Sequence, residues 1–273
     1  MEGSGKRHAG IVTLTTDFGL QDAYVGAMKG VMLQITPFVE MVDISHLIAP
    51  QDVMEGAFVL KEAYAYFPSG TVHLVVVDPG VGTARRPLAL QAGGYLFVGP
   101  DNGLFPLLLG EEHIEKVVVL DNPAYWRTPE PSSTFHGRDI FAPVAAHLAG
   151  GVPLEEVGTP VDVESLQRLR WIEPSVQEGS IQGWVVHIDR FGNCITNIPA
   201  ELLRVASPDN VRVYVGDAII QRLHRTYGEV ERGEPLALIG SSGMLEIAVN
   251  AGNAAELFHI RKGAPVNVIL EGT

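Results

Sequence analysis

The sequence predicts an α/β protein with an N-terminal α/β domain, in which helices flank a mainly parallel sheet, and a smaller C-terminal all-β domain that resembles a barrel. Three observations lead to this prediction. Apolar, β-branched runs alternate with segments of helical periodicity over the first half of the chain. Past about residue 150, short strand-like runs follow one another without helices between them. The length of 273 residues also suits two domains of unequal size.

In the N-terminal half, each β-branched run is predicted to be a strand and each amphipathic segment a helix. The first run ends at the turn Asp17-Phe18-Gly19, and Pro37 ends the helix that follows it. The apolar run at 72–77 has the composition of a buried strand. The predicted elements are strands at 11–15, 39–44, 72–77, 95–98 and 117–120, and helices at 22–35, 52–66 and 141–148.

The C-terminal half is predicted to be a small barrel or sandwich of short strands. Residues 153–174 are rich in Pro and Glu and are predicted to connect the two halves over the surface. We therefore place the N-terminal domain at 10–165 and the C-terminal domain at 175–273. The predicted strands of the second domain are 183–188, 211–215, 236–238 and 266–270.

Composition excludes several classes of protein. The chain has 19 Lys+Arg against 32 Asp+Glu, a formal net charge of −13, which argues against a nucleic-acid binder. No apolar stretch approaches the roughly 18 residues that a membrane span needs. The single cysteine, Cys194, excludes a disulfide framework and suits a reducing compartment. The sequence thus predicts a cytoplasmic protein with a small-molecule partner and no nucleic-acid or membrane partner.

The motifs of several common chemistries are missing from the sequence. There is no His-x-x-x-His and no cysteine pair, so no metal site is expected. There is also no P-loop, no Gly-x-Gly-x-x-Gly after a strand and no Gly-x-Ser-x-Gly elbow. The sequence therefore lacks the motifs that are typical of metal-dependent hydrolysis, dinucleotide redox chemistry and serine hydrolysis. No cofactor is expected.

Acidic residues follow two of the predicted strands, at the sheet edge where open α/β folds bind their ligands. They are Asp17 and Asp78, and each could also serve only as a turn former or helix cap. Residues 78–86 join a carboxylate to two arginines through a glycine loop. This segment could be a structural salt bridge, or an ion pair whose carboxylate orients a small nucleophile. His136, next to a glycine, could be packed or catalytic.

The second half contains two polar loops with glycines, at 189–193 and 241–246. Gly192 and Asn193 could form a plain β-turn. They could equally supply neutral amides to a zwitterion whose ammonium group Asp189 accepts.

Six segments together resemble one known family. They are TDFGLQDAYVGAMKGV, VDPGVGTARR, GPDNG, FHGRD, IDRFGNCITNI and SSGMLEIAVNAGNAA, and the likeness runs from about residue 11 to residue 271. The sequence is similar to the S-adenosyl-L-methionine (SAM) hydroxide adenosyltransferases, or SAM hydrolases. These are relatives of the fluorinating and chlorinating enzymes that attack the same substrate.

The resemblance implies that water attacks the ribose 5′ carbon of SAM and yields adenosine and L-methionine without a cofactor. It also implies a homotrimer, with active sites where the N-terminal domain of one subunit meets the C-terminal domain of the next. By this likeness Asp78, Arg85 and His136 form the catalytic set, although only spacing within the resemblance separates Arg85 from its neighbour Arg86. The implied substrate-binding residues are Asp17 at the ribose hydroxyls, Asp189, Asn193 and Ser241 at the methionine end, Glu246, and Ala251 near the adenine.

Differences from the halogenating relatives favour water over a halide. This chain has Asp78 where those enzymes have an aromatic residue, and Gly137 where they have a serine beside the halide; it also lacks their inserted loop. A nearby carboxylate would repel a halide by at least ~1 kcal/mol. The open alternatives are a halide-using transferase that forms 5′-chloroadenosine, a non-enzymatic binding protein for SAM or adenosine, and a nucleosidase with Asp78 as base.

Overall fold

The described part of the chain forms two units that divide after Arg170. The first unit contains a seven-stranded sheet with helices and the second contains a nine-stranded sheet. The predicted fold class is therefore confirmed. The computed structural model describes residues 10–110, 113–170, 172–204 and 206–271.

The first unit follows the alternation of strands and helices that the sequence predicts. The predicted helix at 52–66 is shorter than expected, because Ala63 leaves the helical region at φ −121° and a separate 3-10 turn covers Tyr64–Tyr66. The sequence missed one strand of a hairpin, one helix and a short edge strand, which are labelled β4, α3 and β7 below. In chain order the elements are β1 (Ile11–Thr16), α1 (Tyr24–Ile35), β2 (Glu40–Ser45), α2 (Val53–Lys61), β3 (Val72–Val76), β4 (Pro87–Ala92), β5 (Tyr95–Pro100), α3 (Leu104–Leu109), β6 (Ile114–Val119), α4 (Ala142–Ala149) and β7 (Thr159–Pro160).

The sheet of the first unit is parallel on one side and antiparallel on the other. Its strand order is β2-β1-β3-β5-β4-β6-β7, with β2, β1, β3 and β5 parallel to one another. The direction changes at β4 because β4 and β5 form a hairpin through Gly93 and Gly94, which both have positive φ. The parallel part brings the carboxyl ends of β1, β2 and β3 to one edge of the sheet.

Helices cover both faces of this sheet. Buried side chains of α1 and α4, such as Met28 and Val144, pack in one apolar cluster with β1 and β3. Leu60 of α2 and Leu104 of α3 pack in a second cluster with Val75 of β3. Burying each such side chain contributes about 1.5–3 kcal/mol, so these helices stabilise the central strands.

The second unit is almost entirely β. Its strands pair in the order β12-β11-β16-β9-β10-β15-β14-β13, β8 pairs with β9, and β12 also contacts β14, so the sheet curls towards closure. In chain order the elements are β8 (Ser175–Gln177), β9 (Ser180–Ile188), β10 (Cys194–Pro199), α5 (Ala200–Leu203), β11 (Val211–Val215), β12 (Ala218–Ile220), β13 (Leu223–His224), β14 (Pro235–Ile239), β15 (Met244–Val249), α6 (Ala254–Leu257) and β16 (Pro265–Leu270). The sequence missed β10 and β15, whose polar and apolar residues do not alternate regularly. It also missed the strands β8, β12 and β13 and the helices α5 and α6, which have only two to four residues each and carry no periodic signal. Over the residues that the structure describes, no helix has the length and apolar character needed to cross a bilayer.

One buried histidine of the first unit, His73 on β3, titrates far below its usual range. Its Nδ1 lies 2.8 Å from Oγ1 of Thr13, while Nε2 has no hydrogen-bond partner among the residues that the structure describes. The ring packs against aromatic neighbours, with Phe97 at 5.1 Å and Tyr95 at 5.4 Å between ring centroids. Burial lowers the pKa of His73 to about 4.

We expect His73 to make the folded protein acid-sensitive. The unfolded chain takes up a proton on this residue below about pH 6.5 and the folded chain only below about pH 4. The free energy of unfolding should therefore fall by about 3 kcal/mol on this account as the pH drops through that window. Urea unfolding of the wild type and of His73→Gln, near neutral pH and near pH 4.5, measures the effect. The variant should lose less stability over this interval, and equal losses in both proteins would contradict the expectation.

Candidate active site

A pocket of about 570 Å³ opens at the carboxyl edge of β1 and β3 in the first unit. This volume is in the range of small-molecule sites. Its lining includes Asp17, Asp78 and His136 and the rings of Phe18, Tyr24 and Phe135. Three of the residues that the sequence singled out therefore share one cavity.

Asp78 and Arg85 form a buried ion pair just beyond β3. Nε of Arg85 lies 3.0 Å from each carboxylate oxygen of Asp78, and Nη2 donates to Oδ2. The two side chains are only 5% and 8% exposed. The glycine loop between them permits this geometry, because Gly82 has φ +75° and a Cβ there would lie 2.3 Å from the carbonyl oxygen of Ser133.

His136 joins this ion pair from a segment 51 positions further along the chain. Nη2 of Arg85 lies 2.8 Å from Nδ1 of His136. Because a guanidinium only donates, Nδ1 must accept and the ring proton is on Nε2. Burial, and then the charge of Arg85, lower the pKa of His136, so the imidazole is neutral near pH 7. The structure thus brings Asp78, Arg85 and His136 into one hydrogen-bonded cluster.

The neighbouring arginine, Arg86, points to a different part of the unit. Its Nε lies 2.8 Å from Oδ2 of Asp101, and its Nη2 lies 2.6 Å from the carbonyl oxygen of Ser165. Of the two adjacent arginines, only Arg85 contacts Asp78 and His136 in the described residues. Arg86 instead ties the end of β5 to the loop after residue 160.

The segment that carries His136 is held by Asp139, which is fully buried. Asp139 accepts hydrogen bonds from Nε of Arg127 at 2.6 Å, Nε of Arg138 at 2.7 Å and the amide of Ser132 at 2.9 Å. Burial by itself would raise the pKa of Asp139, but these hydrogen bonds hold it well below its usual range. Sequence reasoning gave Asp139 no role, although its place inside the FHGRD segment was a usable signal.

Asp17 lies at the end of β1, beside an aromatic wall. Its Oδ2 accepts a hydrogen bond of 2.8 Å from the amide of Gln51, which has the unusual φ of +68°. The rings of Phe18, Tyr24 and Phe135 contact one another next to it, with centroids 5.1–5.9 Å apart. A carboxylate next to such a wall suits a ligand that has both hydroxyl groups and a flat or apolar part.

In the second unit, Asp189 and Asn193 form a tight turn between β9 and β10. Oδ1 of Asp189 accepts from the amides of Phe191 and Asn193, and Oδ2 accepts from Nδ2 of Asn193, each at 2.9 Å. The turn geometry that the sequence allowed is therefore present. Three of the lone pairs of the carboxylate are used inside the turn, which fixes its orientation.

The other three predicted residues of the second unit lie in and around β15. Glu246 is 7% exposed and accepts a 2.6 Å hydrogen bond from the hydroxyl of Tyr227, a residue that sequence reasoning missed. Burial raises the pKa of Glu246 despite this bond, and the charge of Asp189 adds to the effect. Ser241 and Ala251 are exposed in the turns before and after the strand, Ala251 with φ +55°.

The described residues contain no group of three or more His, Cys, Asp or Glu side chains arranged to hold a metal ion.

Comparison with known proteins identifies the family. Residues 12–158 match the family model described as SAM hydroxide adenosyltransferase N-terminal domain, and residues 183–267 match the corresponding C-terminal domain. By these matches, the α/β unit with its strand-end pocket and the all-β unit after it are the two domains of an enzyme of the adenosyltransferase class. The chain belongs to the SAM hydroxide adenosyltransferase family.

Individual relatives agree with this assignment over nearly the whole chain. The chain is 43% identical to (R)-S-adenosyl-L-methionine hydrolase of Thermus thermophilus, covering 94% of this chain and 99% of that protein. It is 32% identical to fluorinase of an Actinoplanes species, covering 94% and 97%. The crystal structure of an uncharacterized conserved protein from Thermotoga maritima superposes with a TM-score of 0.87 at 40% identity, covering 95% and 99%.

Proposed function

We propose that this protein hydrolyses SAM to adenosine and L-methionine by attack of water on the ribose 5′ carbon. The observation that carries the proposal is the Asp78–Arg85–His136 cluster at the pocket. It occurs in a chain that is 43% identical to a protein named (R)-S-adenosyl-L-methionine hydrolase.

The chemistry of the substrate decides what the protein must supply. The sulfonium of SAM is a good leaving group, so no general acid is needed at the departing sulfur. The difficulty is that water is a weak nucleophile and must lie in line with the C–S bond. Holding it there in a site that excludes bulk water can lower the barrier by several kcal/mol.

The cluster offers the groups that such positioning needs. Asp78 can accept a hydrogen bond, and finally a proton, from the attacking water, while Arg85 balances its charge and holds its orientation. His136 uses Nδ1 for Arg85, which leaves Nε2–H as the donor of the ring. Nη1 of Arg85 is buried without a hydrogen-bond partner among the described residues, so one more donor is left for a water or a ligand.

The remaining predicted residues are proposed to bind the substrate. Asp17 would accept hydrogen bonds from both ribose hydroxyls, next to the aromatic wall. The pocket lining belongs wholly to the first unit, whereas the other predicted substrate-binding residues belong to the second. From the likeness to the SAM hydroxide adenosyltransferase family, we propose a homotrimer in which the second unit of one subunit completes the pocket of its neighbour. The residues so contributed are Asp189, Asn193, Ser241, Glu246 and Ala251.

The proposal includes a cytoplasmic location and a reaction without a cofactor. The location is supported by the one cysteine of the chain, Cys194, which is buried and unpaired. Burial, with the charges of Asp189 and Glu246, raises the pKa of the Cys194 thiol to about 12, so this thiol is not a nucleophile near pH 7.

A halide-using activity is the second candidate, because the chain is also 32% identical to a fluorinase. The structure around Gly137 disfavours it. A Cβ at Gly137 would lie 3.2 Å from Sδ of Met28 and 3.2 Å from a ring carbon of Phe135, so a serine there would require both to shift. Asp78 would also place a negative charge where the anion has to bind.

Water labelled with heavy oxygen tests the proposed function. We expect the label on the 5′ hydroxyl of adenosine, and no 5′-haloadenosine in chloride or fluoride, because the nucleophile is water held at Asp78. Mass spectrometry of the products measures both, and adenosine incubated with enzyme in the same water controls for exchange. Unlabelled adenosine would exclude attack by water at this carbon. A 5′-haloadenosine would support the halide-using transferase, and adenine would support the nucleosidase. Tight binding of SAM without any product would support the non-enzymatic binding protein.

A further inference from the structure

A buried threonine–histidine pair lies directly behind the turn that carries Asp17. Oγ1 of Thr16, the last residue of β1, lies 2.9 Å from Nδ1 of His46, which follows β2. Thr16 is 0% and His46 is 3% exposed. The two side chains therefore join the carboxyl ends of two neighbouring parallel strands at the edge where the pocket opens.

The pair also binds the backbone of the two residues that follow Asp17. The amide of Phe18 donates to Oγ1 of Thr16 at 3.3 Å, and the amide of Gly19 donates to the carbonyl oxygen of His46 at 2.8 Å. Nε2 of His46 lies 3.0 Å from Oδ1 of Asp43. With the ring proton on Nε2, the Thr16 hydroxyl donates to Nδ1 and its oxygen still accepts from Phe18.

Backbone pairing with β2 does not fix this turn. The β1–β2 ladder shifts register between Leu14 and Thr15, whereas the pairing of β1 with β3 stays regular through Thr16. Irregularities of this kind re-aim the side chains that follow them. The hydrogen bond between Thr16 and His46 joins β1 to β2 at the point where the β1–β2 ladder becomes irregular.

We propose that His46 is a positioning residue that sets the place of the Asp17 carboxylate through Thr16 and through its own carbonyl oxygen. Loss of the imidazole lets the Asp17 turn relax and weakens binding of the ligand that Asp17 holds. The identity of that ligand, the ribose part of SAM, rests on the proposed function.

The chain contains a matched control for this proposal. Thr13 and His73 form the same kind of buried pair three residues earlier on β1, with Oγ1 and Nδ1 2.8 Å apart. The ring of His73 packs against Tyr95 and Phe97, away from the Asp17 turn. Substituting either histidine removes one buried imidazole from the same sheet, but only His46 contacts residues that flank Asp17.

Steady-state kinetics of matched variants give the first test. In His46→Leu we expect KM for SAM to rise roughly tenfold or more with kcat within about threefold of the wild type, because an interaction that serves binding is lost. His46→Asn, which keeps a polar atom where Nδ1 lies, should recover most of the affinity. His73→Leu should lower stability and leave KM unchanged. The Kd of adenosine should rise together with KM, as it should in Asp17→Asn, whereas the Kd of methionine should not change.

Hydrogen exchange of the amides of residues 18 and 19 gives a second test that needs no substrate. Both should exchange faster in His46→Leu, and residue 18 also in Thr16→Val, while His73→Leu keeps the wild-type rates. Faster exchange in a protein that does not cleave SAM would support the positioning role and reject only the proposed function. Should His46→Leu fail to fold, Thr16→Val tests the same contact by exchange and KM. Wild-type exchange at both amides, an unchanged KM, or an equal rise in KM in His73→Leu would overturn the proposal.

Discussion

Replacing Asp78 with alanine is expected to abolish hydrolysis, with kcat lowered by about 100-fold or more, while SAM binding stays measurable. Asp78 lies at the end of β3 against Arg85, where it would orient the water and not the substrate. Single-turnover kinetics and calorimetric titration with SAM measure the two effects separately.

A second variant controls for damage to the fold. Removing one partner of a buried ion pair costs about 3–5 kcal/mol of stability, because the Arg85 guanidinium is left without its carboxylate. Asp78→Asn keeps the volume and one oxygen acceptor, and it should lose turnover to a similar extent while folding normally. If Asp78→Ala keeps more than about a tenth of the wild-type turnover, less than ~1.4 kcal/mol of barrier lowering comes from this group and its assigned role is wrong.

The adjacent arginines should give opposite results when each is replaced by glutamine. Arg85→Gln removes the donors to Asp78 and His136, and we expect kcat to fall about 100-fold. Arg86→Gln should leave kcat within about threefold but lower stability by roughly 1–3 kcal/mol, because the buried carboxylate of Asp101 loses its charged partner. Steady-state kinetics and denaturant unfolding of both variants test the pair.

Each member of this pair is the control for the other, since the two substitutions are identical and lie one residue apart. Loss of turnover in Arg86→Gln with normal turnover in Arg85→Gln would reverse the assignment. Equal losses of turnover in both variants would show that the loop acts as a unit, and that position within it does not separate catalysis from stability.

Much of the first unit was predictable from the sequence because its elements are long and regular. The run from Val72 to Val76 is wholly buried, and the helix of Tyr24–Ile35 keeps one apolar face, so both follow from periodicity. The hairpin strand Pro87–Ala92 was missed, because six residues with Pro at the start carry little periodic signal and the pairing partner decides their conformation.

The candidate site, like the fold, was predictable from the sequence only in part. Asp17 and Asp78 were predicted to lie at one edge because the carboxyl ends of parallel strands meet there, and the structure places both in one pocket. The hydrogen bond between Arg85 and His136 joins segments 51 positions apart, which no local pattern records. Asp139 and Tyr227 were missed for the same reason, since their importance comes from partners brought to them by folding.

The sequence by itself determined the alternation of strands and helices, the change to short strands past residue 150, and the ordered motifs that mark the family. Only the tertiary structure shows that Arg85, and not Arg86, contacts Asp78, and that Nδ1 of His136 accepts the hydrogen bond from Arg85. Only the tertiary structure likewise brings His46 next to the Asp17 turn. Hydrophobic periodicity depends only on residues that are close in the sequence, so it can be read from the sequence itself. The partner of a side chain depends on its direction and on distant segments packed against it, and in a tight loop two adjacent residues can face opposite ways.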